Sequence, residues 1–149
     1  MQGTGLLHGL WRSMNNTYLA RWYPATTDAN YQNAQHQFNA IKNVVESLNL
    51  KLIDLGTQDG GTFDIRFVMY NEIKECDIFI ADLTGCRHNV MVEVGYALNS
   101  DKERMLFYFA PTNEYSDPPF DLNGLRYEKI NDSAEIQTKS QTINRKHFK

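Results

Sequence analysis

Asp77-Ile-Phe-Ile-Ala-Asp82, followed by Leu-Thr-Gly85-Cys-Arg-His-Asn89 and then Val90-Met-Val-Glu93-Val-Gly-Tyr-Ala97-Leu98, decides the reading of this chain. The first six residues hold a continuous apolar centre between two aspartates. A strand of that kind is covered on both faces, as strands of parallel sheets are. Thr84-Gly85 opens a turn in which a glycine can adopt the positive φ that a tight strand-to-helix loop needs. Asn89–Leu98 reads as a helix with Asn89 as its N-cap, and the free N–H groups of its first turn favour an anion. Arg87 and His88 add donors to the same loop.

Placed at 100° steps, Val90, Val94 and Ala97 form one apolar stripe. Glu93 falls about 60° from Val90 and about 40° from Ala97 on that wheel. It therefore lies on the flank of the stripe and not on the solvent face. A carboxylate there costs free energy unless something uses it. A glutamate at a helix border is most often solvated or ion-paired. Asp82, at a strand end, can equally cap its own loop, and Arg87 can be a surface charge.

Outward from this segment, Thr17–Tyr23 reads as a strand ended by Pro24. Thr26-Thr27-Asp28 supplies capping oxygens for a helix over Ala29–Leu48, whose Tyr31, Phe38, Ile41, Val45 and Leu48 recur at helical spacing. Lys51–Leu55 is a short strand, Gly56–Thr62 a loop, Phe63–Glu75 a second helix and Arg104–Phe109 another buried strand. Pro111–Leu122 is a long loop and Leu125–Ile130 an edge strand. The alternation predicts an α/β domain of three layers, αβα, with a mostly parallel, flavodoxin-like five-stranded sheet. Ligands of such sheets sit beyond the carboxyl ends of the strands. That places Tyr23–Asp28, Gly56–Thr62, Leu83–Asn89 and Ala110–Pro119 around the site. Residues 17–131 form the domain; 1–16 read as an N-terminal arm or the remnant of a preceding segment, and 132–149 as a polar tail.

The chain has 149 residues, one domain's worth, with 42% hydrophobic and 22% charged residues. Its net charge of -3 and pI near 5.8 argue against a protein that grips long nucleic acids, which needs a basic field. Two cysteines, Cys76 and Cys86, are too few for a disulfide framework and read as reduced thiols. No metal-ligand spacing is present. No apolar run approaches the ~20 residues of a membrane span, and the start lacks the basic and apolar pattern of a signal peptide. The expected setting is cytoplasmic.

The run Asp77–Gly85, with Asn89-Val90 and Glu93-Val-Gly95-Tyr-Ala97, resembles the nucleoside 2-deoxyribosyltransferase-like superfamily and the TIR-like proteins related to it in fold. Pro119–Tyr127 is similar to the segment before the last strand of such proteins. The resemblance implies cleavage of an N-glycosidic bond at the anomeric carbon of a nucleotide-type substrate, a nucleoside monophosphate or NAD, with no cofactor. It makes Glu93 the catalytic carboxylate, with Asp82 beside it binding sugar hydroxyls or positioning the base. It gives substrate contacts to Tyr23, Thr84, Gly85, Arg87, His88 and Asn89, with Arg87 and the Asn89 helix start facing a phosphate. Tyr23 and His88 are candidate proton donors to the base. The first loop, Arg21-Trp22-Tyr23-Pro24-Ala25, and the turn Gly85–Asn89 depart from the transferases, which favours hydrolysis over base exchange. Two other readings stay open: a nucleotide-sensing module without catalysis, and a TIR-like assembly domain. A homo-oligomer fits all three.

Overall fold

A computed structural model describes residues 16–55, 65–102, 104–118 and 126–139. The element order is β1 (Asn16–Ala20), α1 (Tyr31–Ser47), β2 (Lys51–Ile53), α2 (Ile65–Glu75), β3 (Ile78–Asp82), α3 (His88–Asn99), β4 (Met105–Phe109) and β5 (Glu128–Lys129). The strands form one sheet in the order β2-β1-β3-β4-β5. Every pairing is parallel, with Tyr18 beside Phe79 and Asp82 beside Tyr108. This is the expected three-layer α/β architecture.

The alternation along each strand divides the core in two. Tyr18, Ala20, Phe79, Ala81, Phe107 and Phe109 point to one face and pack with Ile73 of α2 and with Val90, Val94 and Ala97 of α3. Leu19, Ile78, Ile80, Leu106 and Tyr108 point to the other and pack with Ile41 and Val45 of α1. β3 sits between both layers, which is why its sequence is apolar without alternation. From β1 the chain moves outward to β2, then returns across β1 to β3 and continues the other way. The strand order therefore reverses between β1 and β3, where a parallel sheet opens a crevice at its carboxyl edge.

Local ends differ from the sequence expectation in instructive ways. β1 stops at Ala20, not Tyr23, because Arg21 is drawn into an ion pair with Asp54 beyond the end of β2. α1 starts at Tyr31: Asn30 is its N-cap residue and makes no side-chain cap bond, while Asp28 Oδ1 accepts the Asn30 N–H at 2.8 Å. The residues after β5 are more than a polar tail. Helical residues 134–139 bring Ile136 into the α1-side core beside Ile130, both at 0% exposure. Residues 1–15, the Gly56–Thr62 loop and most of Pro119–Tyr127 lie outside the described residues. Among the described residues, no helix is long and apolar enough to cross a membrane.

Burial of Ile136 gives a direct test. Ile136→Ala is expected to cost roughly 2–4 kcal/mol by removing a filled core position. Urea unfolding followed by circular dichroism measures it; an unchanged midpoint would show that the segment does not belong to the core.

Candidate active site

Two features meet at the carboxyl edge, on opposite faces of the sheet. The first is Glu93. It is 7% exposed and shares the α2/α3 side with Val90, Val94 and Ala97. The Tyr18 hydroxyl donates to its carboxylate at 2.6 Å, and that tyrosine is itself buried on β1 and stacked on Phe79 with ring centres 5.7 Å apart. Burial is the largest influence on Glu93 and raises its pKa; the Tyr18 bond lowers it, and the Asp54 carboxylate raises it. The net result is about 7, against 4.5 for a free glutamate. The wheel put Glu93 on the flank of the stripe; the structure puts it inside, with one hydrogen-bond partner drawn from the sheet.

The second feature is a cleft of about 630 Å³ on the α1 side. Arg21, Trp22, Asp82, Thr84, Gly85 and Arg87 form its inner wall, α1 its flank, and the stretches after β4 and β5 its far side. Asp82 belongs to this side because Ile78, Ile80 and Asp82 alternate onto the α1 face. Its Oδ1 accepts the Thr84 N–H at 3.1 Å. Burial pushes the Asp82 carboxyl up, opposed by Thr84 and the positive charge of Arg21. Thr84 Oγ1 accepts from Gln37 Nε2 at 3.2 Å and from the Ala110 N–H at 3.0 Å, tying α1 to the ends of β3 and β4.

The loop glycine behaves as its sequence context requires. Gly85 has φ 76°, and a Cβ there would stand 3.0 Å from Arg87 Nε. The absence of a side chain lets the Arg87 guanidinium fold back over the turn and lie on Trp22, 3.5 Å from the ring centre. Arg87 Nε is buried and has no hydrogen-bond partner among the described residues. The cap is a correction: α3 begins at His88 with Arg87 as N-cap residue and no side-chain cap bond, so Asn89 does not cap it. The positive φ of Cys86 (48°) closes the turn before Asn89 is reached.

The other sequence candidates divide. Thr84, Gly85 and Arg87 line the cleft with Asp82, whereas His88 and Asn89 are exposed in the first turn of α3 and are not in its wall. Tyr23 is 41% exposed, and its hydroxyl donates to Asp54. Asp82 and Glu93 do not form a pair: β3 and its alternation stand between them. Sequence reading missed Tyr18, Asp54, Arg21 and Gln37. Arg21 donates to Asp54 at 2.9 and 3.3 Å and is sandwiched between the rings of Tyr23 (4.0 Å) and Phe38 (3.8 Å). β1 reads Asn-Thr-Tyr-Leu-Ala, so Tyr18 stands beside other polar residues and no local signal singles it out. Among the described residues, no group of three or more His, Cys, Asp or Glu side chains gathers to hold a metal. Cys76 and Cys86 are free thiols.

No family model and no curated protein matches the sequence. Among solved structures the chain is similar to the CMP N-glycosidase BcmB of Clostridium botulinum, with a TM-score of 0.65 and 19% identity over 87% of this chain and 99% of that one. The likeness is one of fold.

The raised pKa of Glu93 has a thermodynamic consequence. Folding raises this carboxyl from 4.5 to about 7, so the folded chain holds the proton more tightly. Stability attributable to the group is intact below the unfolded value and falls as pH rises to about 7. The deficit above that is of order 3 kcal/mol. Glu93→Gln keeps an acceptor for Tyr18 and cannot ionise. Its melting temperature should exceed that of the parent by several degrees at pH 8 and match it near pH 4.5; equal shifts at both pH values would contradict the assignment.

Proposed function

We propose that the protein is a hydrolase that cleaves the N-glycosidic bond of a nucleotide-type substrate, with Glu93 as the group at the anomeric carbon. The observation that carries this is the buried Glu93 carboxyl, held by the Tyr18 hydroxyl at 2.6 Å and poised to ionise near neutrality. Carboxylates used in catalysis are held in this way, by burial that raises the pKa and a donor that fixes the oxygen. Support comes also from the crevice between β1 and β3 and from a fold shared with a nucleotide N-glycosidase.

The step follows from charge. As the bond between the anomeric carbon and the base nitrogen breaks, its electron pair leaves with the base and positive charge develops on the sugar. The Glu93 carboxylate stabilises that charge or bonds to the carbon. Water then supplies its hydroxyl to the carbon, as in glycoside hydrolysis by a carboxylate. Its proton restores the group that protonated a departing nucleobase, or goes to solvent when the leaving group is nicotinamide, which departs neutral. Tyr18 orients the Glu93 oxygen. A departing nucleobase is protonated by either Tyr23 or His88. On the other side of the edge, Arg87, Thr84 and Gly85 receive the substrate's anionic group, and Asp82 accepts from its hydroxyls. His88 and Asn89 contribute from the outer rim of the same turn.

Glu93→Gln is expected to lower kcat/KM for base release roughly a thousandfold or more while the fold persists. With the parent chain, kcat/KM should rise with pH to a plateau above about 7, since the carboxylate is the working form. Tyr18→Phe removes the bond that favours that form and should move the midpoint to higher pH. Chromatography of released base from nucleoside monophosphates and NAD measures all three. Undiminished release by Glu93→Gln would rule out the assignment.

A further inference from the structure

The cleft and the glutamate have different lengths of substrate to account for. Glu93 does not line the cleft, and its hydrogen-bond partner lies on the other face of the sheet. Arg87, the N-cap residue of α3, does line it; it stands six residues before Glu93, about 9 Å along the helix axis at ~1.5 Å per residue. A nucleoside with its 5′ phosphate bridges such a span. With the anomeric carbon at Glu93, the phosphate reaches Arg87 on the inner wall of the cleft and leaves the rest of it unfilled.

We infer that the substrate is a nucleotide extended beyond its 5′ phosphate by a second polar, uncharged unit, such as a sugar or a second nucleoside, and that this unit occupies the α1-side cleft. The inference rests on the glycosidase reading above. Its first support is size: about 630 Å³ falls within the range of sites that enclose a whole ligand of several rings. Its second is the lining. Asn30, Asn33 and Gln37 come from α1 and its cap, and Asn113 and Asn131 from the opposite side. Amides both donate and accept, which suits hydroxyls and heterocycle edges. Gln37 is nine-tenths buried and lines the cleft; its amide nitrogen is committed to Thr84, and its carbonyl oxygen has no hydrogen-bond partner among the described residues.

The third support is charge. Arg21 is neutralised by Asp54, so Arg87 is the lining arginine without a carboxylate partner among the described residues. Asp82, Glu114 and Asp132 also line the cleft. One guanidinium without a carboxylate partner on the inner wall suits a phosphodiester or pyrophosphate linkage. The carboxylates elsewhere in the lining repel a longer run of phosphates and accept from hydroxyls. Contacts to a part of the substrate remote from the reacting carbon can be used to position that carbon, so the extension should raise kcat as well as lower KM.

The experiment compares pairs with the same scissile bond: nicotinamide mononucleotide with NAD, and CMP with cytidine diphosphate glucose. Base release is followed with the parent chain, Asn33→Ala and Gln37→Leu. The expected result is a kcat/KM at least tenfold higher for the extended member of a pair. Asn33→Ala, at an exposed position, should reduce that advantage fivefold or more, as should Gln37→Leu if it folds. Equal or faster release from the mononucleotides would overturn the inference and leave the glycosidase reading standing. Release from none of the four by folded protein would overturn both.

Discussion

A carboxyl group inside an apolar layer must be answered by a donor, and here the answer comes from a different element. Glu93 is carried by α3 and Tyr18 by β1, seventy-five residues apart in sequence and 2.6 Å apart in space. The bond can form only if α3 lies across the face of the sheet with Val90, Val94 and Ala97 seated on it. That rotation in turn requires the tight turn at Gly85, which converts the direction of β3 into that of the helix within a few residues. The apolar stripe, the glycine and the buried acid are thus consequences of one geometric demand. Packing alone would be better served by a leucine at position 93, since an unused buried carboxyl only costs stability. Its presence in this environment is the physical ground for the proposed chemistry at that point.

The two faces of the edge differ in their chemistry. The α2/α3 side is sparse in polar groups and raises the proton affinity of what it encloses. The α1 side is rich in amides and acids, with Arg87 flat against Trp22. Between them Arg21 is held by Asp54 and by two aromatic rings, so its charge is fixed in place and spent locally. A buried pair of this kind contributes definition more than stability, because desolvation offsets much of its Coulomb attraction. It fixes where β1 ends and directs the following residues, Trp22 and Tyr23, to their separate partners.

Much of this was legible in the sequence. The unbroken apolar centre of Asp77–Asp82 implied a strand covered on both sides, and the alternation of elements implied a parallel sheet. Glu93 stood out because its place on the helical wheel contradicted its charge, and Gly85 because the turn needed its positive φ. What was not legible depends on contacts between distant segments. Nothing local marks Tyr18 as the partner of Glu93, or Gln37 as the residue that reaches Thr84. Asp82 and Glu93 looked like a pair because both lie near one strand end. Which face each takes is set by strand parity and by the side on which α3 crosses. The helical stretch holding Ile136 was hidden by its polar neighbours, since one buried residue in six gives no periodic signal.

The pairing of β1 with β3 carries a kinetic meaning. Thr17 meets Ile78 and Ala20 meets Ala81 across about sixty residues of intervening chain. Closing so long a segment costs conformational entropy before either strand gains a neighbour, and sheets built from such non-local contacts form slowly. Tyr18 and Glu93 meet only when that closure is complete. Chains still on their way to the native state therefore contain the acid without its partner. The pairing of β1 with β3 and the burial of Glu93 against Tyr18 belong to one search between distant strands.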